Sequence, residues 1–356
     1  MSDGNIVHVV GTGTIGEPLI GLLCDAQEDL GIDEVTFYKH SPALTDRPKV
    51  KGLIKKGANL SVANDKTADF QELGMEPMYD AEEAIKRASV IVDCTPKGTG
   101  LMNKEKYYKK YKSKIKGFLA QGSEFGFGKM YAVGINDEAI TPNDKFIHIV
   151  SCNTHNMAVL IKTLAIGENN KKHLKEGRFL CIRRANDISQ VKSFIPSPEV
   201  GTHKDPKMGT HHAVDVYHLY QTLGINLNVF SSALKLNTQY MHCIWYDLKL
   251  DYKITKDEVA QKFIDNPRVA VTHKKSANLV FSFGREHGHY GRLLDQTVIV
   301  IPTIHVVNED EVIGFCFTPQ DGNSIISSVT AIERFLYPKD YEEKVKCLWP
   351  FLLQEV

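Results

Sequence analysis

The run Gly11-Thr-Gly13-Thr-Ile-Gly16 constrains this chain more than any other stretch, because of what flanks it. Ahead of it lies the apolar run NIVHVV (5–10), and behind it an amphipathic stretch from Ile15 to Leu30. Three glycines at this spacing, between a strand and a helix, suit a turn that brings backbone against a pyrophosphate. Gly11 allows the tight turn, Gly13 lets the phosphate approach, and Gly16 permits close helix–strand packing. The helix start adds free N–H groups and the positive end of its dipole. Thr14 and Ile15 lie between the glycines and are counted with them as cofactor contacts. The plainer alternative is an ordinary glycine-rich turn.

The residues that follow keep alternating between strand and helix patterns. DEVTFY (33–38), NLSVA (59–63) and SVIVDCTP (89–96) read as strands, while KVKGLIKKG and DAEEAIKRA read as helices, the latter with Asp80 as N-cap. KGFLAQG and FIHIV continue the sheet. This alternation predicts an α/β, Rossmann-type doubly wound sheet over residues 1–151, a dinucleotide-binding domain. At 356 residues a second domain is expected. From residue 152 the pattern changes to long strands: RFLCIRRA, INLNVFSSALKL, HCIWYDLKLDY, TVIVIPTIHVV and EVIGFCF, with little helix besides 255–264. It predicts an α+β catalytic domain with a mostly antiparallel sheet over 152–321. The segment 322–356, with an amphipathic helix at 323–336, is expected to return to the first domain. Residues 191–213, rich in Pro, Gly and His, read as a long loop.

Forty-three basic residues balance 43 acidic ones, so a dedicated nucleic-acid binder is disfavoured and any anion site must be local. The seven cysteines are scattered and form no CxxC pair, which indicates a reducing compartment and neither a disulfide framework nor a zinc ribbon. No signal-peptide pattern opens the chain and no apolar run reaches membrane-spanning length, so a cytoplasmic protein is expected.

Within FIHIVSCNTHNM, Cys152 sits where an apolar strand gives way to a helical pattern. A helix start favours a thiolate, which suits a nucleophile; the bland alternative is a small buried filler. At the end of the second strand, where a carboxylate would read a ribose hydroxyl and select NAD, stand Lys39 and His40. These suit a 2′-phosphate, hence NADP with NAD as the alternative, unless Lys39 is only a solvated loop lysine. In CTPKGTG (94–100), Thr95 and Pro96 are expected to shape a nicotinamide pocket, and Gly122 and Asn323 are further cofactor-binding candidates. Arg183 and Arg184 are adjacent on a strand and point to opposite faces, so at most one serves a given pocket. His211 and His212 lack partners at metal-ligand spacing; an anion site is favoured and no metal is expected. His242, in MHCIWYDL, is either a partner for Cys152 or a core histidine.

VSCNT, IRRA, HH-x-x-D and MH, in this order, together with GTGTIG, VDCTPKG and DEVAQKFIDNPRVAV, resemble the archaeal-type (class II) phosphorylating glyceraldehyde-3-phosphate dehydrogenases over almost the whole chain. The resemblance implies Cys152 as nucleophile and His242 as its general base. It implies Arg183, Arg184, His211 and His212, with Asn153, Thr154 and His155, as substrate and phosphate contacts. It also implies a homotetramer acting on a phosphorylated aldehyde and inorganic phosphate. The chain departs from the family pattern SCNTTG at His155-Asn156 and has Ile244 where a second histidine is common. The implied chemistry is thiolate attack on an aldehyde, hydride loss to give a thioester, and phosphorolysis to an acyl phosphate. The alternatives are a related semialdehyde or acyl-CoA dehydrogenase, and a catalytically silent nucleotide-binding regulator.

Overall fold

Strands covered on both faces must be apolar at nearly every position. Two strands that meet this condition, β1 (Ile6–Val10) and β6 (Gly117–Gln121), are buried throughout. The computed structural model describes residues 4–188, 190, 194–319 and 321–356. Its first sheet also holds β2 (Glu34–Tyr38), β3 (Asn59–Val62), β4 (Tyr79–Asp80), β5 (Val90–Asp93), β7 (Lys129–Tyr131) and β8 (Phe146–Ile149). The spatial order is β4-β3-β2-β1-β5-β6-β8-β7, and the ladders from β4 through β8 are parallel. The order reverses at β1, and the glycine turn therefore opens at the carboxyl edge where such sheets bind ligands. The helices fall close to their sequence signatures. Asp80 caps Ala81–Arg87 by accepting from the backbone N–H of Glu82 and Glu83, each at 2.8 Å. His8, alone among apolar neighbours in β1, is buried against Thr36 Oγ1 at 2.7 Å, and burial pulls its pKa down to about 4. It is neutral at physiological pH.

The second sheet is formed by β9 (Leu174–Arg183), β10 (Glu199–Val200), β11 (Val229–Lys235), β12 (His242–Leu250), β13 (Val269–Thr272), β14 (Thr297–Val300), β15 (His305–Val307) and β16 (Glu311–Thr318). Its order is β10-β11-β9-β12-β16-β14-β13, with β15 on β16. The sheet is mixed, so the expected antiparallel character is met only in part. β9–β12, β12–β16 and β14–β16 are antiparallel, but β9–β11 and β13–β14 are parallel. Parallel neighbours need a crossover connection. The two helices that supply it, His211–Gln221 and Ala277–His287, were not suggested by the sequence pattern, and neither were Thr67–Glu72 and Thr99–Lys106 beside the first sheet. His211 and His212 thus open a helix and do not lie in a loop, while residues 191–193 of the expected loop lie outside the described residues. TVIVIPTIHVV breaks into two strands around a 3₁₀ turn containing Pro302.

Two compact units result, one of Met1–Met130, Ile140–Ile149 and Ser327–Trp349, the other of Tyr131–Ala139, Val150–Ile326 and Pro350–Val356. In the first unit, Phe118 stacks between Tyr108 and Phe146 with ring centroids 5.5 and 4.7 Å away. In the second, the helix Cys152–Ala165 packs against both the sheet and the helix His211–Gln221, and residues 153–161 are all buried. All seven cysteines are free thiols. Among the described residues, no helix is long and apolar enough to cross a membrane.

Glu333, in the helix Ile325–Leu336, buries both carboxylate oxygens without a hydrogen-bond partner. Burial pushes its pKa up to about 8, opposed by the Lys344 charge. The folded chain therefore keeps a proton that the unfolded chain has already released, from the ordinary carboxyl range up to about pH 8. Stability should fall across that window as pH rises. Glu333→Gln removes the group: its Tm should exceed wild type by ~2–4 °C at about pH 8.5 and by far less at about pH 5. Equal differences at the two pH values would contradict this.

Candidate active site

In the first unit, each glycine of the turn has a distinct steric reason. Gly11 has φ +102°, and a Cβ there would stand 3.1 Å from the Cys94 carbonyl oxygen. A Cβ on Gly16 would come within 2.1 Å of the Gly11 oxygen. Gly13 is exposed, with nothing within 4 Å of its Cβ direction, so the turn is bare where a phosphate would approach. Thr14 and Ile15 are partly exposed beside it. These residues fit a dinucleotide.

At the end of β2 an acid does come within reach. Asp46 pairs with Lys39 at 2.7 Å and with Lys49 at 3.5 Å, and the Lys39 hydrogen bond holds its carboxyl below the usual range. Lys49 also pairs with Glu17 at 3.9 Å, so two lysines and two carboxylates meet at this edge. His40 Nδ1 lies 3.3 Å from the Tyr38 hydroxyl. The CTPKG loop is shaped by Asp93, a residue sequence reasoning passed over. Buried at the end of β5, Asp93 accepts from Thr95 N (3.0 Å) and Thr95 Oγ1, Asn103 Nδ2 (2.8 Å) and the Tyr108 hydroxyl (2.5 Å). A charged residue closing an apolar strand was the available signal. Glu124 likewise accepts from Gly98 N and from Leu101 N, the latter at 3.1 Å. Pro96 is partly exposed in this loop, and Gly122, at φ +82° with open space around it, accepts from His148 Nε2 at 2.6 Å.

In the second unit, Cys152 is the first residue of its helix and partly exposed. The helix start does not leave it a thiolate. Burial, then Asp321 and Asp187, outweigh the opposing Arg184 charge and push the thiol up to about 11. His242, 5% exposed, is held well below its ordinary range, first by burial and then by the charges of Arg184, Arg183 and His212. The resting pair is therefore thiol and neutral imidazole. Asn153 lies between two histidines, with Oδ1 3.0 Å from His242 Nδ1 and Nδ2 3.1 Å from His212 Nε2. Thr318 Oγ1 donates to the same Oδ1 at 3.3 Å and accepts from Asn156 Nδ2 at 2.8 Å. Asn323 donates through Nδ2 to the Cys152 carbonyl (2.9 Å) and the Gln296 carbonyl (3.1 Å), fixing the backbone at the cysteine.

The two arginines separate as strand alternation requires. Arg184 is 3% exposed and pairs with Asp321 and Asp187, each at 3.2 Å. Arg183 is partly exposed; among the described residues no carboxylate pairs with it, and its buried Nε has no partner. Its charge acts on both His212 and His242. His211 is exposed and stacks on buried His212, with ring centroids 4.0 Å apart. Thr154 and His155 have no exposed surface: Thr154 Oγ1 is 2.9 Å from Ser151 Oγ, and His155 Nδ1 donates to the Ser151 carbonyl at 3.1 Å. Arg184 thus acts on both Cys152 and His242, Arg183 acts on both His212 and His242, Asn153 bonds both histidines, and Thr154 and His155 are buried in the same helix. Asp321 is the missed member, and its place in TPQDGNS offered no signal.

No family model matches the chain. It is similar to a glyceraldehyde-3-phosphate dehydrogenase of Metallosphaera sedula, 30% identical over 278 residues, covering 76% of this chain and 74% of the relative. A glyceraldehyde-3-phosphate dehydrogenase of Methanobacterium formicicum is 28% identical over 350 residues, 95% of this chain and 96% of the relative. One from Pyrobaculum neutrophilum is 26% identical over 268 residues, 74% and 71% of the two chains.

Because Asp321 raises the Cys152 thiol and Arg184 lowers it, the two charges can be separated by mutation. Iodoacetamide alkylation of Cys152 in the free protein should climb with pH toward about 11. Asp321→Asn should move that profile to lower pH, and Arg184→Gln should move it up. Identical profiles would show that neither charge reaches the sulfur.

Proposed function

The chain belongs to the glyceraldehyde-3-phosphate dehydrogenase family, and from that premise we propose that it oxidises a phosphorylated aldehyde to an acyl phosphate through Cys152. The observation that carries this reading is a helix-start thiol followed in sequence by Asn153, whose carboxamide bonds the neutral imidazole of His242, with the Arg183 cation acting on that imidazole. A thiol held at about 11 is a poor nucleophile until a base removes its proton. His242, kept neutral by its surroundings, is suited to take that proton as sulfur attacks the aldehyde carbon. The imidazolium so formed, with the Cys152 backbone N–H, supplies donors to the oxygen that gains charge. Bound at the glycine turn, a nicotinamide dinucleotide supplies a hydride acceptor. Inorganic phosphate then attacks the Cys152 thioester carbon, the C–S bond breaks, and the acyl phosphate leaves with the cysteine regenerated.

Arg183 and exposed His211 are assigned the anion contacts, because guanidinium gives charge-assisted bidentate hydrogen bonds to phosphate. Arg184 is committed to Asp321 and Asp187, and Thr154 and His155 lack surface, so these three are assigned structural roles. NADP is favoured over NAD because Lys39 and His40, and no carboxylate, directly follow β2. A cytoplasmic homotetramer is the assembly and location that the family resemblance implies.

Cys152→Ser should abolish turnover and the trappable acyl-enzyme; near-normal turnover would defeat the mechanism. Arg183→Ala should raise KM for glyceraldehyde 3-phosphate tenfold or more, about the effect of a lost charge-assisted hydrogen bond, and leave KM for a neutral aldehyde nearly unchanged. Arg184→Ala should instead cost about 3–5 kcal/mol of stability by stranding the buried Asp321 carboxylate. Better use of an unphosphorylated semialdehyde or an acyl-CoA thioester would move the assignment to a related acylating dehydrogenase. For the cofactor, kcat/KM with NADP should exceed that with NAD, and Lys39→Ala should shrink the ratio about tenfold. A wild-type preference for NAD would reverse the assignment.

A further inference from the structure

Two buried histidines share one buried carboxamide, and their hydrogen bonds admit a single placement of protons. Asn153 Oδ1 only accepts, so His242 carries its hydrogen on Nδ1 and, when neutral, has none on Nε2. Asn153 Nδ2 only donates, so His212 accepts at Nε2 and turns its Nδ1 hydrogen to Thr210 Oγ1, 3.1 Å away. Thr210 Oγ1 lies 2.6 Å from Ser231 Oγ, which accepts from Ala213 N at 3.0 Å. The Thr318 hydroxyl, donating to Oδ1, favours this orientation of the amide while His212 is neutral. Asn153, His212 and His242 are all at most 5% exposed, so water does not substitute for these contacts.

We propose that Asn153 is a positioning residue that holds His242 as the Nδ1–H tautomer and makes its basicity depend on His212 staying neutral. Protonated His212 would bear a second hydrogen on Nε2, directly against the Asn153 amide hydrogens. Two buried donors would then face each other without an acceptor. A half-turn of the amide relieves that conflict and brings Nδ2 to His242. His242 must then accept at Nδ1 and carry its hydrogen on Nε2, where it no longer takes a proton from the thiol. The charged and titratable groups acting on His212 are Arg183 and His211, and those acting on His242 are Arg183, Arg184 and His212. All favour the neutral rings. This inference rests on the reading of His242 as the base for Cys152.

The test is kcat/KM for glyceraldehyde 3-phosphate from about pH 4 to 9, with thermal unfolding measured for each variant. Asn153→Leu should lower kcat/KM about 10²-fold through kcat, with KM nearly unmoved. Asn153→Asp offers an acceptor to both rings. It should recover most of the kcat above an acidic limb shifted upward by about one pH unit, since the carboxylate favours both imidazolium forms. His212→Gln, which cannot protonate, should shift the acidic limb downward. A purely structural role would give similar losses in the Leu and Asp variants with the limb unmoved, and a phosphate-contact role would raise KM; either result overturns the proposal. If the Leu variant fails to fold, the limb shifts in Asn153→Asp and His212→Gln decide it. His242→Asn is the control. If it is slow while the Asn153 and His212 variants behave as wild type, only this inference falls; if it is as fast as wild type, the base assignment falls first.

Discussion

Everything around Cys152 depends on burying the polar first turn of one helix. Asn153, Thr154, His155 and Asn156 follow one another in sequence, and none exposes more than 3% of its surface. Such a turn is tolerable only if its polar atoms find partners, because each buried group left unpaired costs about 1–3 kcal/mol. The partners come from four other places: Ser151 just ahead of the helix, Thr318 and Cys316 on β16, His242 on β12 and His212 on the helix His211–Gln221. The need to satisfy that turn therefore fixes where the chemistry-bearing side chains stand relative to the cysteine. Asn156 shows the tightness of the arrangement, donating to Thr318 while it accepts from the Cys316 thiol at 3.2 Å.

The same burial explains the electrostatic character of the site. A helix dipole and a nearby arginine would ordinarily favour a thiolate. Here desolvation and the Asp321 carboxylate outweigh them, and the imidazole is neutral for the matching reason. A neutral pair costs less to bury than an ion pair, and it generates the charged nucleophile only when an electrophile is present. Asp321 takes part in two opposed roles: it neutralises Arg184 and it restrains the cysteine.

Much of this was legible in the sequence where local physics decides the outcome. The glycine turn, the Asp80 cap and the largely apolar strands of the first sheet depend on neighbours close in sequence. The cysteine at a strand-to-helix seam, and the division of labour between two adjacent arginines, followed from spacing alone. What escaped were the long-range partners. The helix His211–Gln221 begins with two histidines after a glycine-rich stretch and carries no acidic first turn, so its start was hidden. Missing it and Ala277–His287 also concealed both parallel pairs, since a crossover and a parallel ladder are one feature seen twice. Asp46 and Asp321 are ordinary acids in sequence, and Asp93 is marked only by closing an apolar strand. They acquire meaning only from the lysine, the hydroxyls and the guanidinium that the fold brings to them.

β9 lies in the interior of its sheet, pinned on one side by β11 and on the other by β12. Its last residue, Arg183, is registered opposite Lys235, and Ile182 opposite Cys243. Because side chains alternate, a slip of one position would exchange the two guanidiniums. The arginine now clamped by aspartates would be left facing the histidines, and Arg183 would meet buried Asp321 and half-exposed Asp187. The two residues are chemically identical, so their different fates are written in the hydrogen-bond ladders and not in the side chains. The anion chemistry of this protein is, in that sense, a property of its backbone alignment.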